Sequence, residues 1–389
     1  MATDLQNPAT LYAGTGAQGV FKSLNGGYSW TAINTGLPNN AISALVVDPR
    51  TPTVLYAGIS PYGGQGGGVY KSTNGGGSWS PANAGLTLPL IVGVLAIDPL
   101  NPMTVYADTN RGMAKSIDGG TTWIMLTSRQ NLENWGYGLA IDPEDPTTLY
   151  AVTVSRRLAK SIDGGFTWRY VTPESPGPAP TDLTEIRSIA IDPKNPVTVY
   201  AGANAGIIKS TNGGDSWSPI ITGLTLVNMD KVVALTINPQ DPATLYALVN
   251  HESNVPFEAD IIKSTDGGAS WKVVNAGLPQ HFPQYYHVEV ILALAIDPHD
   301  PTAVYAGTRY NGVFVSGAMA RVPLGVPAGG TASSSTLGPT DELVSGYVTV
   351  TVNAGSAPYG TAVFSYTLNG YFVSSEAGVP VSPPMRALP

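Results

Sequence analysis

The stretch Lys71-Ser72-Thr73-Asn74-Gly75-Gly76-Gly77-Ser78-Trp79 is one of six copies of a single nine-residue pattern, and no other feature constrains this 389-residue chain as strongly. The pattern is Lys-Ser-x-Asn/Asp-Gly-Gly-x-Ser/Thr-Trp, and it occupies 22–30, 71–79, 115–123, 160–168, 209–217 and 263–271. A short apolar strand ends in Lys-Ser, Asn or Asp opens a turn, and two glycines take backbone angles that side chains resist. The Asn/Asp side chain accepts hydrogen bonds from turn amides. Trp then opens the next strand and supplies a large ring for a core between neighbouring units. Asn25, Asn74 and Asn212 alternate with Asp118, Asp163 and Asp266 at the turn position, followed by Trp30, Trp79, Trp123, Trp168, Trp217 and Trp271. A turn accepts either residue, whereas a catalytic carboxylate does not tolerate replacement by an amide. The boxes are therefore read as structural.

A second element, Asp-Pro-x-x-Pro-x-Thr-Leu/Val-Tyr-Ala, recurs beside the box, with Asn238 opening one copy and a first copy, Asp4–Ala13, lacking the first proline. Together the two elements give four strands per repeat: an apolar run such as Val94–Ile97 expected to be buried on both faces, the Tyr-Ala strand, the strand into the box, and the strand from its Trp. Four-stranded units of about 45 residues predict a β-propeller. Tyr-Ala occurs at Tyr12, Tyr56, Tyr106, Tyr150, Tyr200, Tyr246 and Tyr305, which predicts an all-β, seven-bladed propeller over 1–322. The seventh repeat has no box and no Trp, and Ala318–Val322 is expected to supply its outer strand. Six blades with an irregular closure is the competing count. Residues 323–340 read as a Pro/Gly/Ala/Ser/Thr linker, and 341–389 as a small β-sandwich-like module, complete or partial, with a hairpin turning at Asn369-Gly370.

Composition narrows the function classes. With a formal charge of −8 and mostly isolated Lys and Arg, a nucleic-acid partner is not expected. There is no cysteine, so thiolate metal sites and disulfides are excluded. The longest apolar run, Ile291 to Ile296, is too short to cross a bilayer as a helix. The chain begins inside a repeat, so a leader or earlier segment is expected to be missing from it. A monomer is expected.

Loop lengths locate the candidate site. From the first residue of the proline motif to its Tyr is eight positions in all seven copies, and from box Lys to Trp is eight in all six. These connections share one face of a propeller, which reads as invariant scaffolding. On the opposite face, Tyr-to-Lys spacing runs from nine (Tyr106 to Lys115) to seventeen (Tyr246 to Lys263). The Trp-to-Asp connection grows from eighteen (Trp30 to Asp48) to twenty-six (Trp271 to Asp297). Varied loops on a rigid frame are where recognition resides. The candidate binding residues there are Trp135, Tyr137, Arg156, Arg157, His251, Glu252, His281, Tyr285, Tyr286, His287, Arg309 and Tyr310. Trp135 is a sugar-stacking platform or a loop anchor. His281–His287 offers His and Tyr for acid–base work or for a binding surface. Arg156-Arg157 suits an anion or an acidic sugar, or a solvated turn. No tight ligand spacing gathers His251, Glu252, Glu258 and Asp260 around an ion, so no metal and no cofactor is expected.

The box resembles the Asp-box, or bacterial neuraminidase repeat, over about residues 4–316. Its proline-motif context is similar to family 74 glycoside hydrolases, to photosystem II stability and assembly factors, to sortilin-type propellers and to secreted bacterial repeat proteins. The resemblance implies the propeller fold and an extracellular or envelope-exposed bacterial protein. Two features differ from the related enzymes. Family 74 hydrolases use two propellers with a cleft between them, and the Arg-Ile-Pro motif of sialidases is absent here.

Two functions follow as expectations. One is a binding module for glycan or protein acting through the variable-loop face. The other is a polysaccharide-active enzyme, either a hydrolase with two carboxylates about 5–10 Å apart or a lyase with a Tyr or His base. An assembly factor for a membrane complex is a further alternative implied by the resemblance.

Overall fold

The structure is a computed structural model. It describes residues 1–27, 29–38, 41–60, 67–126, 138–171, 185–204, 206–220, 230–251, 258–274, 291–297, 300, 303–308, 313–316, 361–368 and 371–378. The chain divides into two units, Met1–Ala320 and Arg321–Pro389. In the second, the described residues are an antiparallel hairpin, Thr361–Leu368 with Tyr371–Gly378.

The first unit is an all-β propeller. Six four-stranded antiparallel sheets follow one another over residues 2–32, 41–81, 92–125, 138–170, 186–219 and 230–273, and we number them blades one to six. Each is a meander in which strand order equals chain order, as in blade two: Ala41–Val47, Leu55–Ser60, Gly68–Ser72, Ser80–Pro81. A seventh sheet, Ile291–Ile296, Val304–Thr308 and Val313–Ser316, has three strands.

Six complete blades are therefore present among the described residues, not the seven that the Tyr-Ala count predicts. The reason is chemical. Val315 stands opposite Tyr305, where Lys263 stands opposite Tyr246 in blade six. After the third strand of the seventh sheet the sequence carries no box: the lysine, the double glycine and the Trp that form the turn in the other six repeats are missing. The expected outer strand, Ala318–Val322, lies outside the described residues.

The core lies between sheets. Six apolar clusters each join one sheet to the next, from Tyr12, Val20, Leu45, Leu55 and Trp79 at blades one and two to Tyr246, Leu248, Ile261, Val304 and Ala306 at blade six and the seventh sheet. The second strands are the most buried elements: Val105–Thr109 and Val199–Ala203 are buried at every residue. The first strands, expected to be buried on both faces, are only half-buried, as in Val92–Ile97 and Gly138–Ile141. Each first strand neighbours the first strand of the next sheet around the propeller axis from blade two onward, so only part of its surface meets protein.

Both recurrent turns hold themselves. In the proline motif, Asp48 Oδ1 accepts from the amides of Arg50 (2.8 Å) and Thr51 (3.0 Å). In the box, Asn74 Oδ1 accepts from the Ser72 hydroxyl and the Ser78 amide, both at 2.9 Å. Gly75 and Gly76 have φ of 68° and 89°, and a Cβ on Gly76 would collide with Ile33 of blade one. The Asn/Asp alternation has a simple basis. Asn74 Nδ2 donates to the Ser78 hydroxyl oxygen (3.0 Å), whereas Asp118 Oδ2 accepts from the Thr122 hydroxyl (2.6 Å). The rotating hydroxyl reverses its role and the turn is unchanged.

The box also latches blades together. Tyr56 Oη and Lys71 Nζ of blade two both donate to Gly119 O in the box of blade three, at 2.9 and 2.7 Å. Blade four repeats this on Gly213 O at 2.9 and 2.7 Å, and blade five on Gly267 O at 3.2 and 2.9 Å. Burial, with Asp48 and Asp118 adding to it, pushes the Tyr56 phenol up to about 12, so it stays a donor throughout the physiological range. Trp79, Trp123, Trp217 and Trp271 complete the seam by donating Nε1 to a carbonyl of the preceding blade, while Trp30 and Trp168 donate to their own boxes.

Candidate functional site

On the face opposite the boxes, strand ends of blades four, five and six form one continuous polar rim. It starts in the hairpin of blade four. Thr153 N donates to Arg157 O and Arg156 N to Thr153 O, both at 2.9 Å, closing a tight turn. Arg156 is the only non-glycine residue of positive φ (60°) among those described. That backbone is uncommon for a side-chain-bearing residue. It aims the Arg156 carbonyl at the Ile186 amide of blade five (2.8 Å). Arg157 stacks on Tyr170 with its guanidinium carbon 3.6 Å from the ring centroid.

In blade five, three side chains lock together. Arg187 donates through Nε to Asn204 Oδ1 (2.7 Å) and through Nη2 to Glu185 Oε2 (3.2 Å). Asn204 Nδ2 donates to the same carboxylate oxygen (3.1 Å), and Arg156 Nε approaches it at 3.9 Å. Asn204 also forms a backbone bridge with Lys231, which carries the rim into blade six.

Blade six ends in a clamp across its first three strands. His251 faces Asp230 in register, with Asp260 on the third strand. His251 Nδ1 lies 2.9 Å from Asp230 Oδ1 and Nε2 lies 3.0 Å from Asp260 Oδ2. Carboxylates only accept, so both ring nitrogens donate and the ring is an imidazolium. The hydrogen bond to Asp260 is the leading cause that raises His251 to about 9, helped by Asp230 and opposed by burial. With both nitrogens committed, this His is not an open metal ligand. Beside it, Asn250 is buried and its Oδ1 has no hydrogen-bond partner among the described residues.

Of the candidate binding residues, the structure places Arg156, Arg157 and His251 on this rim. Trp135, Tyr137, Glu252, His281, Tyr285, Tyr286, His287, Arg309 and Tyr310 lie outside the described residues. Sequence reasoning missed Arg187, Asn204 and Lys231. A signal for two of them was present. Among the apolar first strands, only those of blades five and six carry charge, at Arg187, Asp230 and Lys231. The boxes fall on the opposite face as turns, with their Asn, Asp and Trp committed to the bonds described above.

No family model matches the chain. A xyloglucanase of Hypocrea jecorina (strain QM6a) is 29% identical over 143 residues, which is 34% of this chain and 16% of that protein. Among solved structures, the GH74 xyloglucanase of Xanthomonas campestris superposes with a TM-score of 0.59 at 19% identity, covering 81% of this chain and 50% of that one. A YCF48 protein bound to a D1 peptide gives 0.57 at 14% identity, covering 82% of this chain and 92% of that one. Likeness at these identities establishes the β-propeller fold. The chain spans half the length of the solved xyloglucanase and a sixth of the curated one. Among the described residues, no helix is long and apolar enough to cross a membrane.

Proposed function

We propose that this chain is a binding propeller whose variable-loop face presents the rim of blades four to six to a glycan or polypeptide ligand. One observation carries the reading. Charged and amide side chains of three consecutive blades are held at the face where loop length varies, by hydrogen bonds within blades five and six and by an ion pair and a ring stack from blade four, while the other face repeats one turn design. A preorganised polar surface binds with less loss of side-chain freedom than a loose one. The loop residues Trp135, Tyr137, Glu252, His281, Tyr285, Tyr286, His287, Arg309 and Tyr310 would extend this rim with stacking and hydrogen-bonding groups. We read the boxes as Asp-boxes and the ring as closing between the N-terminal strand and the seventh sheet, supported by Met1, whose sulfur would lie 3.0 Å from a Cβ on Gly307 of that sheet. In the same reading, 323–340 is a linker, 341–389 a separate module, and the protein a monomer working outside the cell or in its envelope.

A second reading, a polysaccharide-active enzyme, is favoured by the sequence similarity to a xyloglucanase. A glycan array combined with reducing-sugar release separates the two. Binding without release, weakened by Arg187→Ala and Arg157→Ala, supports the binding module. Release of reducing ends supports the enzyme. Undiminished binding by both variants removes the rim from the site.

A further inference from the structure

Large apolar side chains are exposed in one corner of the constant face. In blade three, Leu100 and Met103 lie in the proline-motif turn, Ile117 in the box and Ile124 on the fourth strand; in blade four, Ile162 and Phe166 lie in the box. Their exposures run from 48% at Leu100 to 69% at Ile117. They are connected. Gly119 N donates to Met103 O (2.8 Å), bringing that turn against the box of blade three. Lys115, paired in register with Ile124, reaches across to blade four, its Nζ 5.7 Å from the Phe166 ring and 3.4 Å from Gly164 O.

Nothing in the turn requires these residues. At the third box position Ile117 and Ile162 stand where blades two, five and six have Thr73, Thr211 and Thr265. At the seventh, Phe166 stands where blade two has Gly77 and blade six Ala269. Isolated exposed apolar residues are ordinary, but a connected group that the scaffold does not need marks a contact surface.

The charge around the patch states what it contacts. Asp118 and Asp163 sit beside Ile117 and Ile162, with Glu144 and Asp145 exposed in the turn of blade four. Hydroxyl and amide donors hold both box carboxyls down to about 2, led by the Thr122 hydroxyl at Asp118, so both remain charged. The nearby cations are already engaged: Lys115 on Gly164 O, Lys160 on Gly213 O, and Arg169 on Asp215 at 2.6 Å.

We infer that the constant face of blades three and four docks a basic polypeptide segment whose aliphatic side chains cover Ile117, Ile162 and Phe166 while its Lys or Arg residues meet Asp118, Asp163, Glu144 and Asp145. This surface is distinct from the proposed ligand rim on the opposite face. Acidic charge around an apolar centre favours such a partner by steering and by burial together.

The test uses the full chain and an amphipathic peptide of alternating lysine and leucine, with a glutamate–leucine peptide as control. Fluorescence anisotropy should show binding of the basic peptide only, weakening as salt rises. Hydrogen exchange should show protection in 98–124 and 144–167. The double variant Ile117→Ser/Phe166→Ser should bind roughly tenfold or more weakly, as loss of two anchors implies. Leu24→Ser, at the equivalent exposed position in blade one, should bind as the parent does. The same melting temperature in all three proteins keeps folding out of the comparison. Equal binding by the double variant, protection confined to the opposite face, or equal binding of the acidic peptide would overturn the inference. So would a concentration-dependent dimer abolished by the same double variant, which makes the occupant a second copy. Loss of glycan or protein binding at the rim leaves these outcomes untouched.

Discussion

The two ends of the blades are built on opposite plans. On the constant face, one solution is repeated: Asp48 and Asp98 cap their turns at the same 2.8 and 3.0 Å, and Tyr and Lys of one blade grip a glycine carbonyl of the next. On the variable face recurrence is partial among the described residues: Asn34 and Asn83 accept from the Val20 and Val69 amides at 2.7 Å in blades one and two, but blades four to six each differ. Blade four uses a strained arginine turn, blade five an Arg–Asn–Glu lock and blade six an Asp–His–Asp clamp. Repetition is what a scaffold requires, because each seam solves the same packing problem. Departures from repetition show where something other than packing has shaped the residues. The apolar corner of blades three and four follows the same logic, as a departure within the repeated face.

Substitutions can break that contrast, and the largest effect should come from the scaffold. Trp79 is buried and its Nε1 bonds Ile33 O of blade one at 2.7 Å. Trp79→Ala should lower stability by about 3–5 kcal/mol, the usual result of emptying a large aromatic site. Chemical denaturation measures it. A loss below about 1 kcal/mol would mean that the blade seam is not the main source of cohesion.

Next is the clamp of the variable face. Asp230 is 2% exposed, so His251→Leu leaves a buried carboxylate without its imidazolium and should cost about 3 kcal/mol near neutral pH. The pH dependence sharpens the point. His251 is raised in the folded protein to about 9 from an ordinary value near 6.5. Its contribution is therefore full below about pH 6.5 and is lost as pH rises toward 9. Wild type should lose stability across that window more steeply than His251→Leu. Parallel profiles would show that the ring is not charged in the fold.

Smaller effects on stability should separate binding from folding. Alanine at Trp135, Tyr286 or His287 should change stability by about 0.5 kcal/mol or less, as exposed loop changes do, and weaken ligand binding. Calorimetry paired with a binding titration reads both. Stability loss without binding loss would make these residues loop anchors.

The smallest effect is expected at the box. Asp118→Asn should leave melting temperature and rim binding unchanged, because the Thr122 hydroxyl can reverse from donor to acceptor as Ser78 does beside Asn74. A drop in rim binding at constant melting temperature would show that the two faces are coupled.

Local chemistry explains why so much of the scaffold can be read from residue order. Each box turn closes within nine residues, and its two glycines, with φ of 67–72° and 80–94°, follow from Gly-Gly alone. The strands between the turns follow from the same spacing. The rim was only partly legible. Arg156-Arg157, His251 and Asp260 stand out as unusual residues on the variable connections, but their pairing does not. Asp230 meets His251 from 21 positions away, through a register that shifts between Val232 and Ala234. No residue spacing encodes such a bulge.

By itself, then, the sequence determined the all-β class, the strand order in each repeat and the face on which variation is allowed. Those properties depend on hydrogen bonds that close within a few residues and on an alternation that repeats. Tertiary structure decided three things. The second strands, flanked by the neighbouring sheets, became the buried layer, while the first strands, turned toward the propeller axis, stayed half-exposed. The indoles of Trp79, Trp123, Trp217 and Trp271 found their acceptors on the preceding blade. Finally, charges scattered from Arg156 to Asp260 became one rim. Each of these is set by which sheets become neighbours, and that is a property of the assembled ring rather than of any one segment.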